Sequence, residues 1–138
     1  MSNILTEQSN PQSETIDLMK TAELVRTINE EDKKVAFAVE KALPEIAKAV
    51  DIITNAFLNG GRLGYFGSGT SGRLGVLDAS ECLPTFSAPE EMISGIIAGG
   101  DYALRHAVEG AEDSVEKALA DIADFNPQPV DVVAGISA

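Results

Sequence analysis

The chain has 138 residues, which predicts one domain with a real core and not two. Its formal net charge of −12 argues against nucleic acid or an anionic membrane as partner, because either would meet long-range repulsion. Cys82 is the only cysteine, so an intrachain disulfide is impossible, and nothing points to an oxidising compartment.

The N-terminus from Met1 to Pro11 has neither the basic start nor the apolar core of a signal peptide, and no apolar run approaches the roughly 20 residues that span a bilayer. The expectation is a soluble, cytoplasmic protein. Asn3 to Gln12 is polar and reads as an extended arm, with Asn10-Pro11 as a turn signal. Thr15 to Asn29 carries a weak helical stripe of Ile16, Met19, Leu24, Val25 and Ile28. After Glu30-Glu31-Asp32, the apolar positions Val35, Val39, Leu43, Ile46, Val50, Ile53 and Phe57 recur every three or four residues, the period of one helix face. Val39, Leu43, Ile46, Val50 and Phe57 are expected to cover the sheet that follows, and Pro44 to kink the helix or restart it.

Asn59-Gly60-Gly61 ends this helix, with glycine supplying a left-handed cap. Arg62 to Phe66, Met92 to Ala98 and Val130 to Ser137 read as short apolar strands. Asp101 to Val108 and Ser114 to Phe125 read as helices, the second with Val115, Ala118, Leu119 and Ile122 on one face and Asp113 to Glu116 as a capping box. Asp101 is expected to cap its own helix. Strands alternating with helices predict an α/β fold with a parallel sheet and flanking helices, whose ligands bind at the carboxyl ends of the strands. That rule puts the Gly67 loop, the Gly99-Gly100-Asp101 turn and the chain terminus along one rim. The chain stops at Gly135-Ile136-Ser137-Ala138, just as the third strand should deliver its loop, and so reads as a fragment.

The loop after the first strand is the densest signal. Gly67-Ser68-Gly69-Thr70-Ser71-Gly72-Arg73 leads from an apolar strand into a helix whose far end carries acids. Free backbone N–H groups and the positive end of the helix dipole converge there, which makes an anion site for a small phosphorylated or carboxylated molecule. Gly67, Gly69 and Gly72 also match the G-x-G-x-x-G spacing of dinucleotide sites, a weak pattern alone. The acid such a site needs after the second strand is missing, since that strand ends Ile96-Ile97-Ala98-Gly99; nor is there a P-loop lysine, because Arg73 follows Gly72. The plainest alternative is a tight turn whose glycines serve backbone geometry only.

These residues carry a resemblance. The stretches Gly67 to Gly75, Leu77-Asp78-Ala79-Ser80-Glu81-Cys82, Ile97-Ala98-Gly99-Gly100 and Ala107-Val108-Glu109-Gly110-Ala111-Glu112-Asp113 closely resemble N-acetylmuramic acid 6-phosphate etherases, of the sugar isomerase (SIS) domain superfamily. Leu5-Thr6-Glu7 and Asn29 to Lys33 extend the likeness over nearly the whole chain. Ser68 stands where that family commonly has alanine, and Leu83 where it has a second proline. The family's sugar-phosphate loop after the third strand is represented here only by Ser137-Ala138.

The resemblance implies a doubly wound SIS-type sheet, with residues 1–58 forming an arm and helices that pack on it and residues 59–138 the first half of a SIS domain. It implies loss of the D-lactyl ether by elimination and water addition, with no cofactor and no metal, in a cytoplasmic homodimer whose active site lies near the subunit interface. An amino sugar phosphate is the implied ligand, held by Gly67, Ser68, Gly69, Thr70, Ser71, Arg73 and Ser137. Glu81 and Glu112 match the family's catalytic glutamates. Glu81 falls at the C-terminal end of its helix with Asp78 one turn back, a setting for a general acid. Glu112 precedes a helix start, a setting for the base at C2, although Glu109 and Asp113 oppose it. In isolation the fragment is expected to be inactive and to associate through uncovered apolar surface.

Against these readings stand plainer ones. An acid near a helix end is ordinarily a solvated or capping residue. His106, the sole histidine, reads as a packing or surface residue, and Cys82 as a buried one. No His, Cys and Asp spacing suits a metal. The alternative function is a non-catalytic sugar-phosphate-binding regulatory module, which would need the glycine loop but not both glutamates.

Overall fold

A computed structural model of the protein describes residues 8–137, so the Leu5-Thr6-Glu7 part of the arm and Ala138 lie outside the described residues. The chain divides between Lys48 and Ala49 into two compact units.

In the first unit, Asn10 begins a short 3-10 turn over Pro11–Ser13, where its side chain accepts from the Gln12 N–H at 3.0 Å. The same side chain donates to Glu31 Oε2 at 3.0 Å. A second 3-10 turn, Ile16–Leu18, occupies the start of the helical stretch expected from Thr15 to Asn29, whose remainder is helical from Thr21. The long helix α1 starts at Thr21 and runs to Leu58 without interruption at Glu30-Glu31-Asp32 or at Pro44. It does not restart at the proline. Pro44 withdraws only one backbone donor, and the carbonyl four residues earlier belongs to exposed Glu40, where solvent takes the donor's place. Exposed pairs of Glu30 with Lys33 and Glu45 with Lys48 add no more than a few tenths of a kcal/mol each. Val35, Val39, Leu43 and Ile46 are exposed, as is Val50 further on; of the helix only Ala56 is buried.

The second unit opens with the end of α1. Gly60, at φ +76°, lets its N–H reach Phe57 O at 3.1 Å while Gly61 N–H reaches Ala56 O at 2.8 Å, the paired bonds of a Schellman cap. The chain then builds β1 (Leu63–Gly67), α2 (Gly69–Phe86), β2 (Ile93–Ile97), α3 (Gly100–Arg105), α4 (Val115–Phe125) and β3 (Val132–Ile136). The sheet has three parallel strands in the order β2-β1-β3.

Alternation along β1 assigns the two faces. Leu63, Tyr65 and Gly67 face α2, whose backbone lies directly on the sheet. A Cβ on Gly95 would stand 2.4 Å from Val76 Cα, and one on Gly72 would stand 2.5 Å from Gly67 O. The glycine spacing of the loop is therefore in part a packing device. Gly64 and Phe66 face the other way, toward α4: Phe66 meets Phe125 edge-on, with centroids 5.7 Å apart and planes at 84°. Helices on both faces make the sheet doubly wound. Because α2 carries the chain from β1 to one neighbour, and α3 with α4 carry it back to the other, the crossovers diverge between β1 and β3. That is the switch point at which such sheets open a ligand crevice.

The opposite end of the sheet is clamped. Asp131, just before β3, accepts from Arg62 N at 2.7 Å, Arg62 Nη2 at 2.6 Å, Arg62 Nε at 3.2 Å and Gln128 N at 2.9 Å. Arg62 also donates to Phe125 O and Asn126 O and lies 4.5 Å over the Phe125 ring. These bonds tie the start of β1, the end of α4 and the start of β3 together, away from the rim.

Two expected caps are corrected. Ser114, not Asp113, is the N-cap of α4 and accepts from Lys117 N, so Glu116 has no box to close. The N-cap of α3 is Gly99 at φ +91°, and Asp101 sits within the helix's first turn.

Candidate functional site

The strand ends form a level rim, because Gly67 is in register with both Ile97 and Ile136. Ala98 N donates to Gly67 O at 2.9 Å and fixes the chain where β2 leaves the sheet. At the switch point β1 passes through Ser68 into α2. The first helical bond there is Gly72 N to Ser68 O at 3.0 Å. The N–H groups of Gly69, Thr70 and Ser71 therefore precede any intrahelical acceptor, and they meet the rim at the positive end of an 18-residue helix.

Beside this helix start lies a cleft of about 390 Å³. Phe66, Ile96 and Gly135 form its sheet wall, Ala118, Asp121 and Ile122 of α4 the opposing wall, and Gly67, Ser68, Ala98 and Ser137 the rim. The loop between α3 and α4 contributes Ala111 and Glu112. Ala111 is buried and Gly110 turns at φ +68°, so the loop is anchored inward by one residue while the next reaches the cleft. Ser68 Oγ donates to Glu112 Oε2 at 3.4 Å. A helix end with uncapped N–H groups, a carboxylate and a largely apolar crevice thus share one opening.

Of the residues singled out in the sequence, Gly67, Ser68, Ser137 and Glu112 line this cleft, and Gly69, Thr70 and Ser71 adjoin it on the first turn of α2. Arg73 does not join them. Its Nε donates to Leu104 O at 3.0 Å and its Nη2 to Ala103 O at 2.7 Å and His106 O at 3.3 Å, so the guanidinium closes the C-terminal end of α3. Its guanidinium thus meets the helix's orphan carbonyls rather than the first turn of α2.

Glu81 is exposed on α2, 12 residues beyond Gly69. At 1.5 Å per residue that is about 18 Å along the helix from the end where Glu112 lies. One copy of the chain does not bring the two glutamates together. Asp78, expected to bias Glu81, is engaged with Tyr65: burial and the hydrogen bond to Asp78 hold the phenol up at about 12.

His106 stacks on Tyr102, with centroids 4.0 Å apart, at the end of α3. Cys82 is buried with Sγ 3.2 Å from Asp78 O, and burial, then the neighbouring Asp78, pushes its thiol up. Both positions match the plain packing readings. Among the described residues, no helix is long and apolar enough to cross a membrane.

Sequence reasoning missed the α4 wall. It put Val115, Ala118, Leu119 and Ile122 on one face, yet Val115 and Leu119 lie exposed away from the cleft, while Ala118, Asp121 and Ile122 line it and Phe125 meets Phe66. The signal was present in the spacing of Ala118, Ile122 and Phe125, which recur every three or four residues and carry Asp121 along on the same side.

Comparison with known proteins bears on this geometry. Residues 45–138 match the family described as the glucokinase regulatory protein N-terminal SIS domain. The chain belongs to this SIS-domain family. The parallel sheet with its flanking helices is the fold expected of a SIS domain, seen here in incomplete form. Relatives of the SIS chain over all 138 of its residues are N-acetylmuramic acid 6-phosphate etherases: one from Actinobacillus pleuropneumoniae serotype 5b (strain L20) at 57% identity, one from Vibrio vulnificus (strain YJ016) at 56% and one from Escherichia coli O1:K1 / APEC at 52%. The SIS chain spans 45%, 46% and 46% of their respective lengths, a little under half of each.

Proposed function

We propose that this SIS domain is the base-carrying, substrate-binding part of an enzyme that removes the D-lactyl ether from N-acetylmuramic acid 6-phosphate. The products are N-acetylglucosamine 6-phosphate and D-lactate, a step in recycling cell-wall amino sugars. The observation that carries this reading is the unbroken likeness to etherases, 52–57% identity over the full 138 residues. It favours an enzyme over a sugar-phosphate-sensing module.

The chemistry follows from the open-chain sugar. Its C1 aldehyde acidifies the hydrogen on C2. Glu112 takes that proton, the electron pair forms the C2=C3 double bond, and the C3–O bond breaks as an acid protonates the departing lactate. Water then adds across the double bond, hydroxyl to C3 and hydrogen to C2. Two carboxyl groups, one ionised and one protonated, suffice for these proton transfers. The first-turn N–H groups of Gly69, Thr70 and Ser71 suit the phosphate. Glu81 is the acid in this reading. Its place about 18 Å along α2 means that a second copy of the chain must bring it to the cleft, which fits a homodimer with the site near the interface. The cytoplasm is the compartment in which such a substrate would be met.

The test is D-lactate release from N-acetylmuramic acid 6-phosphate, measured for this chain and for a form extended to the length of its relatives. Release by the extended form, abolished by Glu112→Gln, is expected. Release by neither form would sink the etherase reading.

A further inference from the structure

Resting on the etherase reading above, the geometry points to Ser68 as a positioning residue, whose hydroxyl orients the Glu112 carboxylate at the end of β1 for proton removal from the substrate. Ser68 occupies the N-cap of α2 with the extended backbone of that position, φ −115° and ψ 161°. A serine there ordinarily turns its oxygen back to accept from the N–H two or three residues on. Ser68 makes no such bond. Its Oγ instead donates across 44 residues of sequence to Glu112 Oε2 at 3.4 Å.

Two consequences follow from that one rotamer. The first-turn N–H groups of α2 stay available to an anion, since no side chain caps them. The carboxylate of Glu112, exposed on a loop that turns at Gly110, gains a hydroxyl partner on the cleft side. A hydroxyl donor also suits an ionised carboxylate, which has only acceptors to offer and must keep one oxygen open for the C2 hydrogen. Ser68 touches the base rather than the reacting atoms, so its effect belongs to turnover and not to binding.

The experiment uses the chain extended to the length of its relatives, with Ser68→Ala, Ser68→Thr and Glu112→Gln compared for kcat and KM of D-lactate release. Ser68→Ala should lower kcat about threefold, less than the loss of a short charge-assisted bond because this contact is 3.4 Å long and exposed, with KM held within about twofold. Ser68→Thr, which keeps the hydroxyl, should recover most of the rate. An unchanged kcat in Ser68→Ala, a loss confined to KM, or a threonine variant as slow as the alanine one would overturn the positioning role. Glu112→Gln separates the two ideas. If it retains parental turnover, the base assignment itself fails; if it is inactive while Ser68→Ala is unimpaired, only the positioning role fails.

Discussion

Asp131→Asn is the sharpest test of how this sheet is held. The Asp131 side chain is 2% exposed, and its two oxygens receive donors from Arg62 N, Nε and Nη2 and from Gln128 N, at 2.6 to 3.2 Å. Asparagine keeps the shape but offers one acceptor oxygen and turns an NH2 group toward donors. A charge-assisted bond contributes about 1.5–3 kcal/mol. Arg62 is 33% exposed and keeps Phe125 O, Asn126 O and the Phe125 ring, so the loss at pH 7 should be about 2–3 kcal/mol.

The pH dependence has a definite sign. The Arg62 guanidinium, then the Gln128 N–H, holds the Asp131 carboxyl down at about 2, against an ordinary 3.8. A depressed carboxyl contributes its full stability above the unfolded value and loses it as pH falls toward the folded one. The gap between parent and Asp131→Asn should therefore be constant from pH 7 to about pH 5, and narrow by on the order of 1–2 kcal/mol between pH 4 and pH 2. Urea unfolding followed by far-ultraviolet circular dichroism at pH 7, 5, 3 and 2 measures it. A gap under about 0.5 kcal/mol at pH 7, or one that stays flat down to pH 2, refutes the clamp.

Gly95→Ala puts a methyl 2.4 Å from Val76 Cα, a backbone atom that cannot rotate away; a loss of about 1–3 kcal/mol is expected, and an unshifted melting temperature would show that α2 does not ride on the sheet as described. Arg73→Ala should lower stability by about 1–2 kcal/mol through the freed carbonyls at the end of α3, with KM for the sugar phosphate unchanged in the extended enzyme; a large rise in KM would restore Arg73 as an anion ligand. Inactive Glu81→Ala and Glu112→Gln forms of the extended enzyme, mixed and allowed to exchange subunits, should recover about a quarter of parental activity, since half the dimers are mixed and each holds one intact site. Recovery of nothing would mean that Glu81 does not act across a dimer.

Much of the fold and of the candidate site is legible along the chain because its causes are local. The Gly60-Gly61 cap, the strands beginning near Leu63, Ile93 and Val132 and the anion-ready turn after Gly67 each depend on residues a few positions apart. A glycine able to take φ +76° ends a helix wherever the fold puts it, and alternation of strand and helix commits the sheet to be parallel. Two local patterns did not disclose what their residues meet in the fold. Arg73 stands in the anion-ready turn by sequence, and its guanidinium meets the carbonyls of Ala103 and Leu104, some 30 residues on. Pro44 is expected to kink or restart its helix, and no restart occurs, because losing one donor on an exposed turn is too small a cost to end a long helix.

The apolar faces show the same division. Val39, Leu43, Ile46 and Val50 have the period of a buried stripe but remain exposed, because periodicity states which residues share a face and not what covers it. Sequence alone determined that Gly67 to Ser71 would present backbone donors at a helix start, since glycine and short hydroxyl residues leave them uncovered. Only the tertiary structure decided that Glu112, 44 residues beyond Ser68, would meet that turn and that Glu81, closer in sequence, would not. A rigid helix carries Glu81 away at 1.5 Å per residue, while the strand order β2-β1-β3 returns the later loop to the switch point.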